Sequence, residues 1–167
     1  MNIKQLIDED FVNYKKASMF IGFPICSWKC EMEFGEKICQ NSSLSKSPEI
    51  NIKAEDIVKR YMENELTHAI VCGGLEPFNS WEDLYYLVKC FRKYILDDIV
   101  IYTGYYENEI GDYIKKLSEF PNIIVKFGRY IPNQKSHYDE ILGVELASDN
   151  QYAKVISKEI NDGINHG

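Results

Sequence analysis

"HAIVCGGLEPFNSWEDLYYLVKCF", residues 68–91, passes from one kind of backbone to another within a few positions. His68 to Cys72 is an apolar run of strand length that stops abruptly at Gly73 and Gly74. Asn79 or Ser80 then stands where a helix cap belongs, so a helix is expected from Trp81 to about Tyr94. Strand, glycine turn and helix follow in order.

The same scheme repeats on both sides. "DDIVIYTGYYENEI" (97–110) offers a strand at Ile99 to Tyr102, a turn at Thr103 and Gly104, and a helix reaching about Leu117; a further strand, Ile123 to Phe127, follows Pro121. Upstream, Ala54 to Glu63 sets Ile57, Val58 and Tyr61 on one helical face. Met19 to Ile21 reads as a buried strand that delivers the chain through Gly22 to Cys26. Gly128 to Gly143 is polar and turn-rich, and Asn150 to Ile160 reads as a final helix. Strands alternating with helices predict an α/β fold with a parallel sheet, whose ligand sites lie beyond the C-terminal strand ends. Cys26, Gly73 and Thr103 would share that edge.

At 167 residues the chain suits one domain, 1–167, with a sizeable core. No apolar stretch has the length of a membrane span, so no membrane role is expected. Charges scattered through MNIKQLIDEDFVNYKK argue against a signal peptide, and a cytoplasmic chain is expected. Acidic residues outnumber basic ones 26 to 19, with no Lys/Arg cluster to track a phosphate backbone, which argues against nucleic acid as a partner.

"CSWKCEMEFGEKICQN" (26–41) holds three of the five cysteines. In a reducing compartment this favours metal binding over disulfides. A structural zinc site is closed by four ligands, and here no fourth ligand is near; His68 and Cys72 would have to supply it from elsewhere, and both also fit a core strand. An iron–sulfur cluster on three cysteines instead leaves one iron with an open position for a substrate or cofactor. Cys72, ending a strand, and Cys90, within a helix, read as inert packing residues.

These residues resemble the radical S-adenosylmethionine (SAM) superfamily, whose usual signature is C-x3-C-x2-C after the first strand of a partial (β/α) barrel. Cys26, Cys30 and Cys39 match in order, with six extra residues between the second and third. Ile38 stands where the family packs a residue on the SAM adenine, and "CQN", ending at Asn41, resembles its C-x-N ending. "CGGLEP" (72–77) resembles the GGEP element with Leu75 interposed, which implies that Gly73, Gly74 and Glu76 meet the methionine amino group.

Within the superfamily the chain is similar to the activating proteins of anaerobic ribonucleoside-triphosphate reductase. "IVIYTGY" (99–105), "KFGRYI" (126–131) and "ASDNQ" (147–151) resemble that family's YTGY, GR-F/Y and GS-x-NQ segments in order. Phe127 stands where the family often has aspartate, and Ala147 replaces a glycine. The resemblance implies a partial (β/α) barrel with a mostly parallel sheet, a [4Fe-4S] cluster on Cys26, Cys30 and Cys39, and SAM contacted at Ile38, Asn41, Gly73, Gly74, Glu76, Thr103, Gly104 and Arg129. It implies reductive cleavage of SAM to a 5'-deoxyadenosyl radical and a glycyl radical made on a large partner enzyme. Flavodoxin or ferredoxin is the electron donor to expect. Two other readings stand beside it: a radical SAM enzyme acting on a small molecule, similar to carboxy-deazaguanine synthases, and a non-catalytic metal-binding module.

Overall fold

Branching at Cβ narrows the side-chain rotamers of Val and Ile and favours extended backbone, and the apolar runs of this chain are rich in both. The computed structural model describes residues 1–25 and 46–158. Along it, β1 (Asn2–Ile3) and β2 (Gln5–Asp10) precede β3 (Ser18–Phe23), and β4 (Ile50–Asn51) and α1 (Ala54–Met62) lead to β5 (Ala69–Gly74). Then come α2 (Trp81–Arg92), β6 (Asp98–Tyr102), α3 (Gly111–Leu117) and β7 (Ile123–Phe127), followed by β8 (His137–Asp139), β9 (Val144–Leu146) and β10 (Tyr152–Val155).

Six of these strands form one sheet in the order β10-β7-β6-β5-β3-β2. Its inner four, β3, β5, β6 and β7, pair in parallel, as the alternation of strands and helices predicts. The outer two are antiparallel to their neighbours. A parallel sheet must be covered on both faces, and the two-residue period of the strands divides the core accordingly. Ile70 and Cys72, Ile99 and Ile101, and Val125 and Phe127 cluster with Ile57, Leu84, Leu87, Val88 and Phe91 of the helices. The alternate residues Val71, Val100 and Ile124 cluster with Tyr14, Leu142, Leu146 and Ala153. Burying each such side chain contributes roughly 1.5–3 kcal/mol against chain entropy.

Several boundaries differ from the sequence expectation. The helix expected over Asn150–Ile160 is absent from its described part: Tyr152–Val155 is β10, antiparallel to β7. The segment YAKV alternates exposed and buried at Tyr152 and Ala153, and the edge of β7 offers it a ladder that a short, isolated helix would lack. The start of α2 is also built differently. Ser80 occupies the cap position without a side-chain bond, and a 3₁₀ turn over Pro77–Ser80 precedes the helix, capped by Glu76. Asn79 instead accepts a hydrogen bond from the Tyr105 hydroxyl at 2.7 Å. The opening residues, unassigned by their pattern, supply β1 and β2, and the turn-rich stretch contains β8. Among the described residues no helix is long and apolar enough to cross a membrane.

Candidate functional site

The glycine pair at the end of β5 permits a backbone approach that no other residue allows. Gly74 has φ +83°, and a Cβ there would stand 2.7 Å from Gly22 Cα and 2.8 Å from Phe23 N. With that space left open, Leu75 N donates to Phe23 O at 3.2 Å and Glu76 N donates to Ile25 O at 2.8 Å. Ile25 directly precedes Cys26, so the chain enters its cysteine segment beside Glu76.

The carboxyl group of Glu76 is buried, the residue being 4% exposed. Its Oε1 accepts from Phe78 N at 3.1 Å and from Thr103 Oγ1 at 2.9 Å, and its Oε2 accepts from Gly104 N at 2.9 Å. Burial pushes its pKa above the ordinary carboxylate range; the hydrogen bonds from Gly104, Phe78 and Thr103 and the charge of Lys126 oppose that rise. Three of roughly four acceptor sites on a carboxylate are thus used. Capacity for one further donor remains.

Glu76 lines a cavity of about 380 Å³ beyond the strand ends, together with Phe20, Gly73, Tyr102, Thr103 and Lys126. Gly104 lines it as well. Tyr102 is held in place by its hydroxyl, which donates to Asn13 O at 2.5 Å; burial, with Asp10 and Asp139 nearby, raises its pKa. Lys126 is buried on β7, and its Nζ donates to Gly128 O at 3.1 Å and Thr103 O at 3.3 Å.

The three downstream motifs join into one hydrogen-bonded unit. Gly128 N donates to Tyr105 O at 3.0 Å, and Asn150 Nδ2 donates to Arg129 O at 2.6 Å and to the Tyr106 hydroxyl at 2.9 Å. Gln151 Nε2 donates to Gly128 O at 3.3 Å, while its Oε1 accepts from Ser148 N at 3.1 Å. Ser148 Oγ donates to Asn150 Oδ1 at 2.7 Å. Gly128, at φ +106°, lies so close that a Cβ would meet Asn150 O at 3.0 Å. "SDNQ" is therefore a clasp on the "GRY" turn.

Of the residues singled out from sequence, the structure brings Gly73, Gly74, Glu76, Thr103 and Gly104 together at one cavity. Arg129 is buried just outside its lining: one guanidinium nitrogen donates to Glu109 Oε2 at 2.5 Å, and the group lies 4.9 Å from the centre of the Tyr106 ring. Cys26, Cys30, Ile38, Cys39 and Asn41 lie outside the described residues. Cys72 and Cys90 are buried as packing residues, and burial pushes the Cys72 thiol up to about 12. His68 is exposed, just before β5 and so at the opposite end of that strand from Glu76. Among the described residues no group of three or more His, Cys, Asp or Glu is placed to hold a metal ion.

Sequence reasoning missed Lys126, Tyr102 and Asn13 at the cavity. For Lys126 the signal was present, since a lysine interrupts the apolar strand IIVKF, all five residues of which are buried.

A family described as "4Fe-4S single cluster domain" matches residues 16–152. The match spans the cysteine segment and every strand that reaches the cavity. No curated protein matches the chain, and no solved structure does.

Proposed function

The chain belongs to the 4Fe-4S single cluster domain family, and on that premise we propose that it is a radical SAM activase. In this reading it cleaves SAM reductively at a [4Fe-4S] cluster on Cys26, Cys30 and Cys39 and makes a glycyl radical on a large partner enzyme, an anaerobic ribonucleotide reductase. The parallel sheet is read as the partial (β/α) barrel of that superfamily.

The observation that carries the reading is the 2.8 Å hydrogen bond from Glu76 N to Ile25 O. It ties the backbone of the residue before the first cysteine to the backbone of Glu76, whose buried carboxyl group lines the cavity. The donor set fits the cluster: three thiolates leave one iron open to a ligand with amino and carboxylate groups. When bound, the cluster supplies the electron for cleavage.

The chain's own residues hold and orient. Glu76 offers its remaining acceptor site to the ligand's ammonium, while Thr103 and Gly104 fix the carboxylate from the neighbouring strand end. Gly73 and Gly74 let the ligand approach the backbone closely. Phe20 and Tyr102 give the cavity apolar wall that limits water around the reacting group. A backbone glycine as substrate requires a partner loop to reach this cavity from outside, and flavodoxin or ferredoxin would supply the electron.

The test is an anaerobic assay for 5'-deoxyadenosine, followed by glycyl-radical detection on the partner. Release of 5'-deoxyadenosine that needs SAM, reductant and all three cysteines supports the reading. A reconstituted cluster that neither binds nor cleaves SAM leaves a non-catalytic iron–sulfur module.

A further inference from the structure

A buried ammonium is costly unless its donors are satisfied and an opposite charge is near. Lys126 meets that condition in an unusual place, on the sheet face that lines the cavity, where its strand neighbour two positions back is the apolar Ile124. Its Nζ bridges Thr103 O, at the end of β6, and Gly128 O, just after β7. These are the turns whose other groups grip Glu76 and the "SDNQ" clasp.

We infer that Lys126 is a positioning residue: its ammonium is the built-in counter-charge that lets a carboxylate stand at Glu76 inside the cavity, and the tie that holds the β6 and β7 turns around it. Two carbonyl acceptors call for N–H donors, which an ammonium carries in three directions. The charge of Lys126 also acts on Glu76 in the sense that favours the anion, against the burial that disfavours it. Among the described residues, the other charged or titratable groups on this side are Tyr102 of β6 with Asp10 and Asp139 near it, Tyr130 and Glu145 in the cavity lining, and Arg129 beyond β7. The Tyr102 hydroxyl donates to Asn13 O, and Arg129 is paired with Glu109. Among the described residues that line the cavity, Lys126 is therefore the cation. The inference rests on the proposed function only where it makes that carboxylate the receptor for the ammonium of SAM.

The experiment is a pH titration of the Glu76 side-chain carboxyl by 13C NMR in the full-length, cluster-loaded protein, assigned with E76Q, in wild type and K126M. The Lys126 charge opposes the rise that burial gives the Glu76 pKa, so K126M should move the Glu76 midpoint up. In the wild type, the 15Nζ signal of Lys126 should show a step at the Glu76 midpoint that E76Q removes. An unchanged midpoint in folded K126M overturns the inference. If K126M does not fold, a Lys126 signal blind to Glu76 overturns it instead. Neither measurement uses SAM. A protein that passes both and cleaves no SAM keeps this role for Lys126 and loses the proposed activity; one that cleaves SAM while Glu76 ignores Lys126 does the reverse.

Discussion

The hydroxyl of Thr103 donates to Oε1 of Glu76 at 2.9 Å, across 27 positions of sequence and between the ends of two neighbouring parallel strands. Thr103 Oγ1 in turn accepts from Tyr105 N at 3.0 Å. Thr103 thus couples the shape of its own turn to the orientation of a carboxylate on the next strand.

Thr103→Val keeps the shape and removes both interactions. Because both partners are withdrawn from water, the loss should cost roughly 1.5–3 kcal/mol of stability, read by urea denaturation. SAM affinity should fall with it, while Thr103→Ser should retain most of both. A valine variant as stable as wild type would show that the turn does not depend on this hydroxyl.

Glu76 makes stability depend on pH in a defined direction. Its folded pKa lies above the ordinary value of about 4.3, so the unfolded chain releases this proton first as pH rises. The stabilising contribution of the protonated group is full below that ordinary value and is lost as pH rises through the raised folded pKa. E76Q has no such proton. The stability of wild type relative to E76Q should therefore fall with rising pH, measured by denaturation from acid to neutral conditions; a flat or rising difference contradicts the burial assigned to this carboxyl group.

Gly74→Ala should cost at least the upper part of roughly 1–3 kcal/mol, since the φ of +83° strains any side chain and the new Cβ would meet backbone atoms of Gly22 and Phe23. Gly111, at the start of α3, faces open space. Gly111→Ala should be neutral or stabilising by about 0.5–1 kcal/mol. Equal effects of the two substitutions on the unfolding midpoint would remove the close-approach argument.

The four parallel strands were legible because both faces of each are covered, which leaves nearly unbroken apolar runs. The two edge strands were not. QLIDED of β2 has one buried residue, and YAKV of β10 also has one, so neither carries a strong period of its own; each is decided by the neighbour it pairs with. Gly73, Gly74 and Glu76 were legible as a motif, and Thr103 and Gly104 as a turn at the same edge. Lys126 was visible as an oddity in IIVKF, but its destination depended on which face of β7 opens to the cavity. "SDNQ", which adjoins the helix expected from Asn150, is a clasp instead because Gly128 offers Gln151 a carbonyl, a partner more than twenty residues away.

Replacing Cys26, Cys30 or Cys39 by Ala should each abolish the cluster, seen as loss of iron, sulfide and visible absorption. Cys72→Ala and Cys90→Ala should keep it, at about 1 kcal/mol of stability. Metal binding takes the thiolate, and burial holds the Cys72 thiol far from ionising near neutral pH. Loss of iron in Cys72→Ala would assign it as a fourth ligand and close the open iron.

Electron paramagnetic resonance of the anaerobically reconstituted, dithionite-reduced protein, with and without SAM and alongside a 5'-deoxyadenosine assay, tests the central claim most directly. The account predicts a [4Fe-4S]+ signal that changes shape when SAM binds, with 5'-deoxyadenosine formed. A signal indifferent to SAM with no cleavage, or a reconstituted site that takes only zinc, would contradict it.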